Sequence, residues 1–537
     1  MKGKMKNVAL VFFMVLLAAS AFAGGGSQGQ GSGASVPVSA SAASTAPVTI
    51  EFWYGGTVSE AGPPPEDWKV LRVVKDKLNI NWIPSMLPSG NTDRDTKINA
   101  AAASNALPDV FFARREVWIN VVKTGLIAPV DDLYPLMPAW TKIYVPADAK
   151  AYTTVNGKSM AIPYLGGSQP TNEGIVIRKD WLDNLGLKVP ATLDDYFNVM
   201  KAFTLNDPDK NGKNDTYGYG AFIEINTYEE GLGRRFDSFF GAYGVAGTWD
   251  LRKSSPGLNI HRPGYYDALV YIKKMVDEKV IDPNWASYGK DDFRANWKQG
   301  KFGIMREQHS AYASESNYAP FDKNFPNGDW IVIDPPKGPQ GLSSVGTYTN
   351  SFGLLPVSSN AIKNGKGPAV AKLFEWMASE EGYYLLGWGE LGVNYLLDKD
   401  KVPIVEGLPD PAKGYIKPEM QPLTQMRGII QRNNDAELVS RYPTYKAPTS
   451  GKTMSALVTL REMQAKPWTV WNGADALPVP NADVKRFYEQ GVIEFVLGQR
   501  QLTKANWDAW VAEFDKMGGA AWEKAGIETA TSSNYLR

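Results

Sequence analysis

Hydrophobic residues in the early part of the chain follow two alternating periods, that of strands and that of helices. β-branched and aromatic residues fill 48–54, which predicts a strand that ends at Gly55-Gly56. The pattern predicts strand, helix, strand, helix and strand in turn at 48–54, 66–78, 79–84, 93–104 and 107–112. This order predicts a parallel α/β layer.

The same alternation begins again after residue 163. Strands are predicted at 175–180, 302–305 and 330–333, and helices at 181–185, 193–204, 265–278, 369–378 and 483–497. Thr192 and Asp195 are spaced for a capping box at the start of one of these helices. No fixed period repeats, which argues against solenoids and propellers. We expect two α/β lobes between which the chain crosses more than once, with ligands at the carboxyl ends of strands.

The amino terminus has the parts of a secretory signal peptide. Three lysines among the first six residues precede an apolar run at 8–19, and Ala21-Phe22-Ala23 matches the small-x-small cleavage pattern. The apolar run is too short to cross a bilayer comfortably. We therefore expect residues 1–23 to be removed and the mature chain to be exported.

The segment that follows the predicted cleavage site is 24–46, which consists mainly of Gly, Ser, Ala and Gln. Such a segment buries too little apolar surface to offset its ordering entropy, so we expect a flexible tether. A bacterial lipoprotein carries Cys directly after its signal peptide, and here Gly24 stands in that place. We expect a periplasmic or extracytoplasmic protein that is not anchored by a lipidated Cys.

Composition removes several classes of function. Lys plus Arg and Asp plus Glu number 57 each, and this balance argues against binding nucleic acid or an anionic membrane. The absence of Cys excludes disulfides, thiolate nucleophiles and Cys-ligated metals. Only two histidines are present, His261 and His309, so a His-ligated metal or a Ser-His-Asp triad would have to use one of them.

Aromatic residues are abundant, at 12% of the chain with 17 Trp and 25 Tyr. A single Trp is most often a core residue. The excess as a whole nevertheless favours a surface that stacks on flat apolar faces, such as those of sugar rings.

A metal-binding pattern follows the helix at 193–204. Oxygen-bearing side chains occupy positions one, three, five and nine of an EF-hand-type loop: Asp207, Asp209, Asn211 and Asp215. Gly212 makes the turn at position six, and the Lys213 carbonyl is the expected ligand at position seven. Gly218 replaces the bidentate Glu of position twelve, so another group must complete the shell. We expect structural calcium here; the alternative is a polar turn without an ion.

Several segments resemble, in the same order, the family 1 solute-binding proteins of ABC importers, in the branch of large alginate- and rhamnogalacturonan-type receptors. The similar segments are 155–163, 177–187 with the calcium loop behind it, 276–283, 300–305, 374–382 and 389–395. The resemblance covers about residues 48–397, and the final 140 residues match less distinctly.

The resemblance implies a type II-like periplasmic-binding-protein fold, whose two hinged lobes close on a sugar and deliver it to a membrane permease. It implies a monomer without catalytic residues that binds structural calcium. In some members an acidic residue follows the last Asp of the loop, where this chain has Thr216. We expect the first lobe to comprise 47–164 and 352–425, and the second 165–351 and 426–537.

Ligand-binding candidates are aromatic and planar polar side chains just beyond strand ends or near the expected crossings. They are Trp53, Tyr54, Arg114, Arg115, Tyr164, Arg306, Gln308, Tyr348, Asn350, Trp388 and Glu390.

Two other functions stay open at this point. The first is an exported glycosidase or lyase, which would need paired carboxylates for acid and base catalysis. No motif puts two carboxylates on neighbouring strands, and the resemblance is to a non-catalytic family. The second is a peptide receptor of the same fold.

Overall fold

The computed structural model describes residues 46–57, 61–88, 90–166, 172–223, 231–348, 352–470, 477–532 and 535–537. The predicted signal peptide and almost all of the predicted tether lie outside the described residues. Pro47–Arg537 form one compact unit. In the described ranges no helix is both long enough and apolar enough to cross a membrane.

Strands in the described residues are β1 (Val48–Tyr54), β2 (Ile80–Met86), β3 (Val110–Phe111), β4 (Thr154–Val155), β5 (Lys158–Ser159), β6 (Ile162–Leu165), β7 (Glu173–Arg178), β8 (Tyr217–Gly220), β9 (Trp249–Asp250), β10 (Gly257–Leu258), β11 (Phe302–Gln308), β12 (Trp330–Ile333), β13 (Thr347–Tyr348), β14 (Phe352–Leu355), β15 (Leu396–Leu397), β16 (Pro403–Ile404), β17 (Tyr445–Lys446), β18 (Thr453–Met454) and β19 (Thr469–Val470).

Helices are α1 (Lys69–Leu78), α2 (Asn91–Ala103), α3 (Arg115–Lys123), α4 (Pro138–Tyr144), α5 (Ala147–Thr153), α6 (Lys179–Leu185), α7 (Leu193–Leu205), α8 (Asp237–Ala242), α9 (Pro263–Asp277), α10 (Lys290–Lys298), α11 (His309–Tyr312), α12 (Glu315–Asn324), α13 (Ser359–Lys363), α14 (Gly367–Ala378), α15 (Glu380–Trp388), α16 (Arg427–Ile430), α17 (Asp435–Arg441), α18 (Ala456–Gln464), α19 (Ala482–Val496), α20 (Lys504–Phe514) and α21 (Ala520–Ser532). Short 3₁₀ turns include Arg234–Phe236 and Asn259–His261.

The first sheet has the order β2-β1-β3, and all its strands are parallel. Ile50, Phe52 and Tyr54 alternate along β1 and are completely buried. Helix α1 follows β1, and α2 follows β2, as the hydrophobic pattern predicts. The chain thus builds the parallel α/β layer expected from its first elements.

The second sheet has the order β12-β7-β11-β8 and is mixed. Strand β7 runs antiparallel to both β12 and β11, whereas β11 is parallel to β8. Every residue of β7 is buried because the strand lies inside the sheet. Its near-continuous apolar run is typical of a strand covered on both faces.

A pair of antiparallel strands, β6 and β14, carries the chain out of and back into the first sheet. Leu165 at the end of β6 pairs with Phe352 at the start of β14. Strand β14 also lies beside β3, through the bridge between Leu354 and Ala113. Residue 165 leads to β7 in the second sheet, and β13 leads back to residue 352. The chain therefore crosses twice at neighbouring points.

Buried apolar residues divide into clusters around the two sheets. The clusters around the first sheet draw on residues 50–162 and 354–430. Those around the second draw on residues 175–345 and 447–530. These sets define the first lobe and the second lobe. Met426, Ile429 and Ile430 belong to the first lobe's core, a few residues beyond the predicted boundary at 425; the exact lobe boundaries stay a prediction.

The chain passes from the first lobe to the second once more after helix α17, since residues from 447 onward pack in the second lobe. One buried carboxylate fixes α17 to the first lobe. Glu437 Oε2 accepts hydrogen bonds from the Tyr383 hydroxyl at 3.1 Å, the Arg432 backbone N–H at 2.6 Å and the Asn433 backbone N–H at 3.1 Å. Arg441 Nη1 lies 3.1 Å from its other oxygen. With four donors on one group, α17 is held against α15 before the chain enters the second lobe.

Buried charges hold the strand ends of the second lobe near the first crossing. Glu173, the first residue of β7, lies with Oε1 2.7 Å from Arg234 Nη1 and Oε2 3.0 Å from Arg306 Nε. Burial alone would raise the pKa of Glu173, but the guanidinium groups of Arg234, Arg235 and Arg306 outweigh it and hold the pKa well below its ordinary value. The carboxylate therefore stays ionised inside the protein.

The neighbouring residues extend this network. Glu307 is completely buried, and Arg294 binds both its oxygens at 3.1 Å. Asp237 accepts hydrogen bonds from the backbone N–H groups of Gly247 and Thr347, each at 2.7 Å. Because Thr347 begins β13, the network also fixes the start of the return crossing.

Replacing Glu173 by Gln leaves the buried Arg306 and the partly buried Arg234 without their shared counter-charge. We expect this substitution to destabilise the protein by about 3–5 kcal/mol, the usual cost of breaking a buried ion pair from one side. Equilibrium urea unfolding measures it. The matched control is Asp483→Asn, which breaks the exposed pair with Arg486 and should cost about 0.5 kcal/mol or less. Equal losses in the two variants would contradict the account.

A histidine joins the 3₁₀ turn Asn259–His261 to the carboxyl-terminal helices. Its Nδ1 lies 3.0 Å from Glu523 Oε1 and its Nε2 3.0 Å from Asp515 Oδ1. Burial favours the neutral ring, but the two carboxylates outweigh burial and raise the pKa of His261. Only the charged ring donates to both carboxylates at once.

The folded-state pKa of His261 lies above its unfolded value of about 6.5. Its stabilisation is therefore fully present below about pH 6.5 and is lost as pH rises through the raised value. We expect His261→Gln to remove this part of the fall in melting temperature (Tm) as the pH rises above about 6.5. A variant with the same pH dependence as the wild type over that range would refute this assignment.

Candidate ligand-binding site

The parallel strands of the first sheet end together at one edge. Phe112 N–H donates to the Trp53 carbonyl at 2.8 Å, and Leu87 N–H donates to the Tyr54 carbonyl at 2.8 Å. The Thr57 N–H reaches the Gln425 carbonyl at 3.0 Å. This edge adjoins the crossing strands β6 and β14, which is where α/β proteins bind ligands.

Two predicted ligand residues end β1, and the structure separates their roles. The Trp53 ring is half-buried, and Lys97 Nζ lies 4.5 Å from its centroid. Tyr54 is completely buried, and burial raises the pKa of its hydroxyl. Trp53 thus presents surface beside a cation, whereas Tyr54 packs in the core.

Tyr164 lies at the end of β6, against the backbone of β14. A Cβ at Gly353 would collide with the Tyr164 ring, so glycine is required for this contact. The side chain is half-buried, and burial raises the pKa of its hydroxyl while Arg94 opposes the shift. The Arg94 guanidinium also lies 5.1 Å from the Phe112 ring centroid. The edge of the first sheet therefore combines aromatic faces with the cation of Arg94, a residue that was not among the sequence-based candidates.

The adjacent arginines Arg114 and Arg115 make contacts inside the first lobe. Arg115 Nη1 donates to the Tyr152 carbonyl at 2.9 Å, and its guanidinium lies 4.6 Å from the Tyr152 ring centroid. Arg114 Nε lies 3.4 Å from Asp95 Oδ2. Arg115 thereby joins α3 to α5, and both side chains are engaged by protein groups.

In the second lobe, Arg306 supports a tryptophan that the sequence reasoning also missed. Arg306 is 2% exposed, bound by Glu173 and by the Arg234 carbonyl, so it has almost no surface for a ligand. Its guanidinium lies 5.5 Å from the centroid of the half-buried Trp468 ring. Trp468 Nε1 donates to the Met463 carbonyl at 3.1 Å, which fixes the ring just before β19.

The end of β11 reaches the first crossing. Gln308 pairs with Glu173 in the sheet and is half-buried. The next residue, His309, has Nδ1 3.0 Å from the Asn172 carbonyl and a ring edge-on to Tyr442 at 5.7 Å. Burial lowers the pKa of His309 to about 4, so its ring is neutral at pH 7. Gln308 therefore borders the crossing beside an uncharged imidazole.

Of the remaining predicted contacts, Trp388 and Glu390 are not brought together with these residues. Trp388 is completely buried, and its Nε1 donates to Ser440 Oγ at 3.1 Å. Glu390 forms an ion pair with Lys69 of α1. Tyr348 pairs with β19 through its backbone, but its side chain and the whole of Asn350 lie outside the described residues.

The loop after α7 gathers the predicted calcium ligands. Asp207 accepts the backbone N–H groups of Asn211 and Gly212 at 3.0 Å, and Gly212 has a φ of 76°. Asn211 Nδ2 donates to Asp209 Oδ2 at 2.9 Å and to Asp215 Oδ1 at 3.2 Å. The amide thus supplies hydrogen bonds to two converging carboxylates.

The chemistry of this loop suits a hard cation. Burial, and then hydrogen bonding and repulsion from the Asp207 and Asp215 carboxylates, raises the pKa of Asp209. Its Oδ1 is enclosed and has no hydrogen-bond partner within the described part of the chain. No group of three or more His, Asp or Glu in the described ranges is arranged as a metal cluster. The predicted ligands of this loop also include the Asn211 side-chain amide oxygen and the Lys213 carbonyl. Ca²⁺ accepts both kinds of oxygen ligand.

Comparison with known proteins agrees with this architecture. The model of the family described as "Bacterial extracellular solute-binding protein" matches residues 85–389. The polygalacturonan/rhamnogalacturonan-binding protein YtcQ of Bacillus subtilis is 28% identical over 359 residues, which are 63% of this chain and 65% of that protein. The fructooligosaccharide ABC transporter substrate-binding protein FusA of Streptococcus pneumoniae is 27% identical over 327 residues, 57% of this chain and 56% of that protein. The chain thus spans less than two thirds of the length of either relative.

Solved structures share the whole fold. An HMO-binding solute-binding protein from Bifidobacterium longum infantis has a TM-score of 0.65 at 18% identity, with coverage of 91% of this chain and 100% of that one. FusA of S. pneumoniae in complex with kestose has a TM-score of 0.61 at 20% identity, with coverage of 91% and 99%. The two-lobed α/β fold predicted from the sequence is confirmed.

The family match covers more than half of the chain, and its fold and order of segments agree with the resemblance seen in the sequence. The chain belongs to the bacterial extracellular solute-binding proteins.

Proposed function

We propose that this protein is the extracytoplasmic receptor of an ABC importer, and that it captures an oligosaccharide between its lobes and delivers it to the permease. The observation that carries the proposal is the family match together with relatives whose names state carbohydrate ligands, YtcQ for polygalacturonan and rhamnogalacturonan and FusA for fructooligosaccharide. The binding residues would be Trp53, Tyr164, Gln308 and Trp468, with Arg306 as the positioning group behind Trp468.

The chemistry of these residues fits a sugar. Half-buried aromatic rings offer faces for the C–H surfaces of pyranose rings, and the Gln308 amide both donates and accepts hydrogen bonds. The rings are also held in place, since Tyr164 lies against Gly353 and Trp468 against Arg306. Preorganised side chains lose less entropy on binding.

Closure of the lobes would transmit binding to the permease. A ligand shifts the balance between open and closed states only by its higher affinity for the closed one. Contacts on both lobes, such as Trp53 on one side and Trp468 on the other, create that difference. A micromolar affinity corresponds to about −8 kcal/mol, within reach of two stacked rings and several hydrogen bonds.

The rival function, an exported glycosidase or lyase, needs a carboxylic acid that can give up a proton to the leaving group. The buried carboxylates near the crossing are engaged otherwise: Glu173 and Glu307 by guanidinium groups, and Asp237 by two backbone N–H groups. This arrangement supports a receptor rather than an enzyme.

Export is proposed on the signal-like residues 1–23 and on the extracellular description of the family. One relative is named Lipoprotein LipO. This chain contains no Cys, so a thioether-linked lipid is not part of the proposal. We propose a monomer that works in the periplasm or at the outer side of the membrane.

Calcium at the loop is likewise proposed, with a structural role. Asp207, Asp209, Asn211 and Asp215 would supply side-chain oxygens, and Lys213 its carbonyl. The solved structures with this fold include a FusA EF-hand mutant and the alginate-binding protein AlgQ2 without calcium ion. A bound cation would replace the Asn211 amide as the partner of the carboxylates and would satisfy Asp209 Oδ1.

Saturating oligosaccharide should stabilise the protein. At a concentration of about 100 times Kd, the unfolding free energy rises by about 2.7 kcal/mol, seen as a higher Tm in a thermal-shift screen of oligosaccharides and peptides. Trp53→Ala should weaken the best ligand about tenfold, and Tyr266→Ala, on α9 of the second lobe, should not. A Tm raised only by peptides, or cleavage of the sugar during incubation, would refute the receptor assignment.

Chelation tests the calcium proposal. Addition of EGTA should lower the Tm of the wild type by several degrees and leave that of Asp209→Ala unchanged. Asp400→Ala, at an exposed aspartate outside the loop, should keep the wild-type sensitivity. Asp209→Asn should not lower the Tm in EGTA, because it relieves repulsion among the loop carboxylates. A wild-type Tm that does not respond to EGTA or to added Ca²⁺ contradicts the proposal.

A further inference from the structure

The segment 389–395, one of those that resemble the solute-binding family, lines a groove that the proposed capture between the lobes does not use. The groove lies in the first lobe between α1, α15 and the turn that follows α15, and its volume is about 850 Å³. Its described lining contains none of the proposed binding residues Trp53, Tyr164, Gln308 and Trp468. A concavity of this size is in the range of sites that bind small molecules.

Aromatic side chains line the base of the groove. Trp376 is 6% exposed, and the half-buried Tyr384 stacks on the buried Tyr395 ring at 5.8 Å between centroids, with 18° between the ring planes. The Tyr384 hydroxyl donates to the Lys401 carbonyl at 3.1 Å, which fixes this ring. Leu391 also lines the groove and is 60% exposed. The groove therefore offers a fixed aromatic ring with an exposed aliphatic side chain in the same lining.

The turn that carries Leu391 is held rigidly. Asn394 is 4% exposed; its Oδ1 accepts the Glu390 N–H at 2.8 Å, and its Nδ2 donates to the Lys413 carbonyl at 2.8 Å. Gly389 has a φ of 88°, and a Cβ there would collide with the Asn394 side chain. The turn thus presents Leu391 in a fixed position, and a contact fixed in advance costs less entropy on binding.

Two glutamates of the groove are positioned by lysines of α1. Glu390 forms an ion pair with Lys69. Glu381 Oε1 lies 2.6 Å from Lys77 Nζ, and Trp376 Nε1 donates to its other oxygen at 3.0 Å. The hydrogen bonds from Lys77 and then from Trp376 lower the pKa of Glu381 below its ordinary value. An ionised carboxylate accepts hydrogen bonds and donates none, so these groups suit a ligand that brings donors.

A second cavity adjoins the groove. Its volume is about 370 Å³, and it shares Glu380 and Tyr384 with the larger one. Arg432 lines it, with its guanidinium 3.9 Å from the Tyr383 ring centroid and its Nη2 donating to the Ala378 carbonyl at 2.9 Å. The two neighbouring concavities form an elongated surface, which favours a chain of several units over a compact ligand.

We propose that this groove is a second carbohydrate site, which binds a neutral saccharide outside the capture site between the lobes. Tyr384 and Leu391 contact the C–H face of a sugar ring. Glu381 and Glu390 accept hydrogen bonds from its hydroxyl groups, and such bonds to ionised acceptors are the stronger kind. The lining holds three glutamates and one lysine, a balance that disfavours an anionic sugar. The inference rests on the proposed function for the class of ligand.

Two variants of the full chain separate the groove from the capture site. Ligand-observed NMR and titration calorimetry measure a panel of neutral gluco-, galacto-, xylo- and fructo-oligosaccharides. We expect Tyr384→Ala to weaken binding at the groove about tenfold or more, and Trp53→Ala to weaken the capture site alone.

The possible outcomes distinguish the two proposals. Saccharide binding that Trp53→Ala abolishes and Tyr384→Ala leaves unchanged would overturn the inference while the receptor function stands. Binding that only Tyr384→Ala abolishes would support the groove and overturn capture between the lobes. Binding of no saccharide would overturn both.

Further variants separate a binding role from a structural one. Tyr384→Phe keeps the ring and loses only the hydrogen bond to the Lys401 carbonyl, so it should bind at the groove like the wild type. Glu390→Gln should lose about three- to tenfold in affinity there, because a neutral amide is the weaker acceptor. The control Glu278→Gln, which breaks an exposed pair with Lys201 in the second lobe, should bind like the wild type. Equal losses at both sites in Tyr384→Ala, together with a lower Tm, would overturn the inference.

The selectivity for neutral sugars is measured in Trp53→Ala, in which the capture site is weakened. We expect this variant to bind a neutral oligosaccharide more tightly than the uronic acid of the same length, because the glutamates of the groove repel a carboxylate. Equal or tighter binding of the acid would contradict a neutral ligand at the groove.

Discussion

Two guanidinium groups meet one buried carboxylate where the chain enters the second lobe, and much of the structure depends on this contact. Glu173 begins β7, Arg306 lies two residues before the end of β11, and Arg234 comes from the 3₁₀ turn that leads into α8. The carboxylate offsets charge on both guanidinium groups, which permits Arg306 to be buried near a strand end. The contact also sets the position of Arg306 behind Trp468, so the geometry of this ring, a proposed sugar contact, depends on it.

A second carboxylate has the corresponding role on the other side of the hinge. Glu437 ties α17 to Tyr383 of the first lobe, so α17 and the preceding segment belong mechanically to that lobe. The two carboxylates therefore hold the chain segments that adjoin the crossings, Glu173 in the second lobe and Glu437 in the first.

Local pattern predicted the elements, because apolar periodicity directly reports which face of a strand or helix is buried. The strand 48–54 and the helix after Thr192 are examples. Site residues were harder to predict, since exposure depends on what packs around a side chain from distant segments. Arg306 and Trp388 follow strand-like or motif-like stretches yet are buried by other elements. Trp468 carries no local signal, because its position beside Arg306 depends on segments far apart in sequence.

The central claim is that an oligosaccharide binds between the lobes and closes them. Small-angle X-ray scattering of the mature chain with and without its saturating oligosaccharide tests this most directly. The account predicts a smaller radius of gyration with the sugar bound and the sugar recovered intact. An unchanged radius at saturation, or a cleaved sugar, would contradict it.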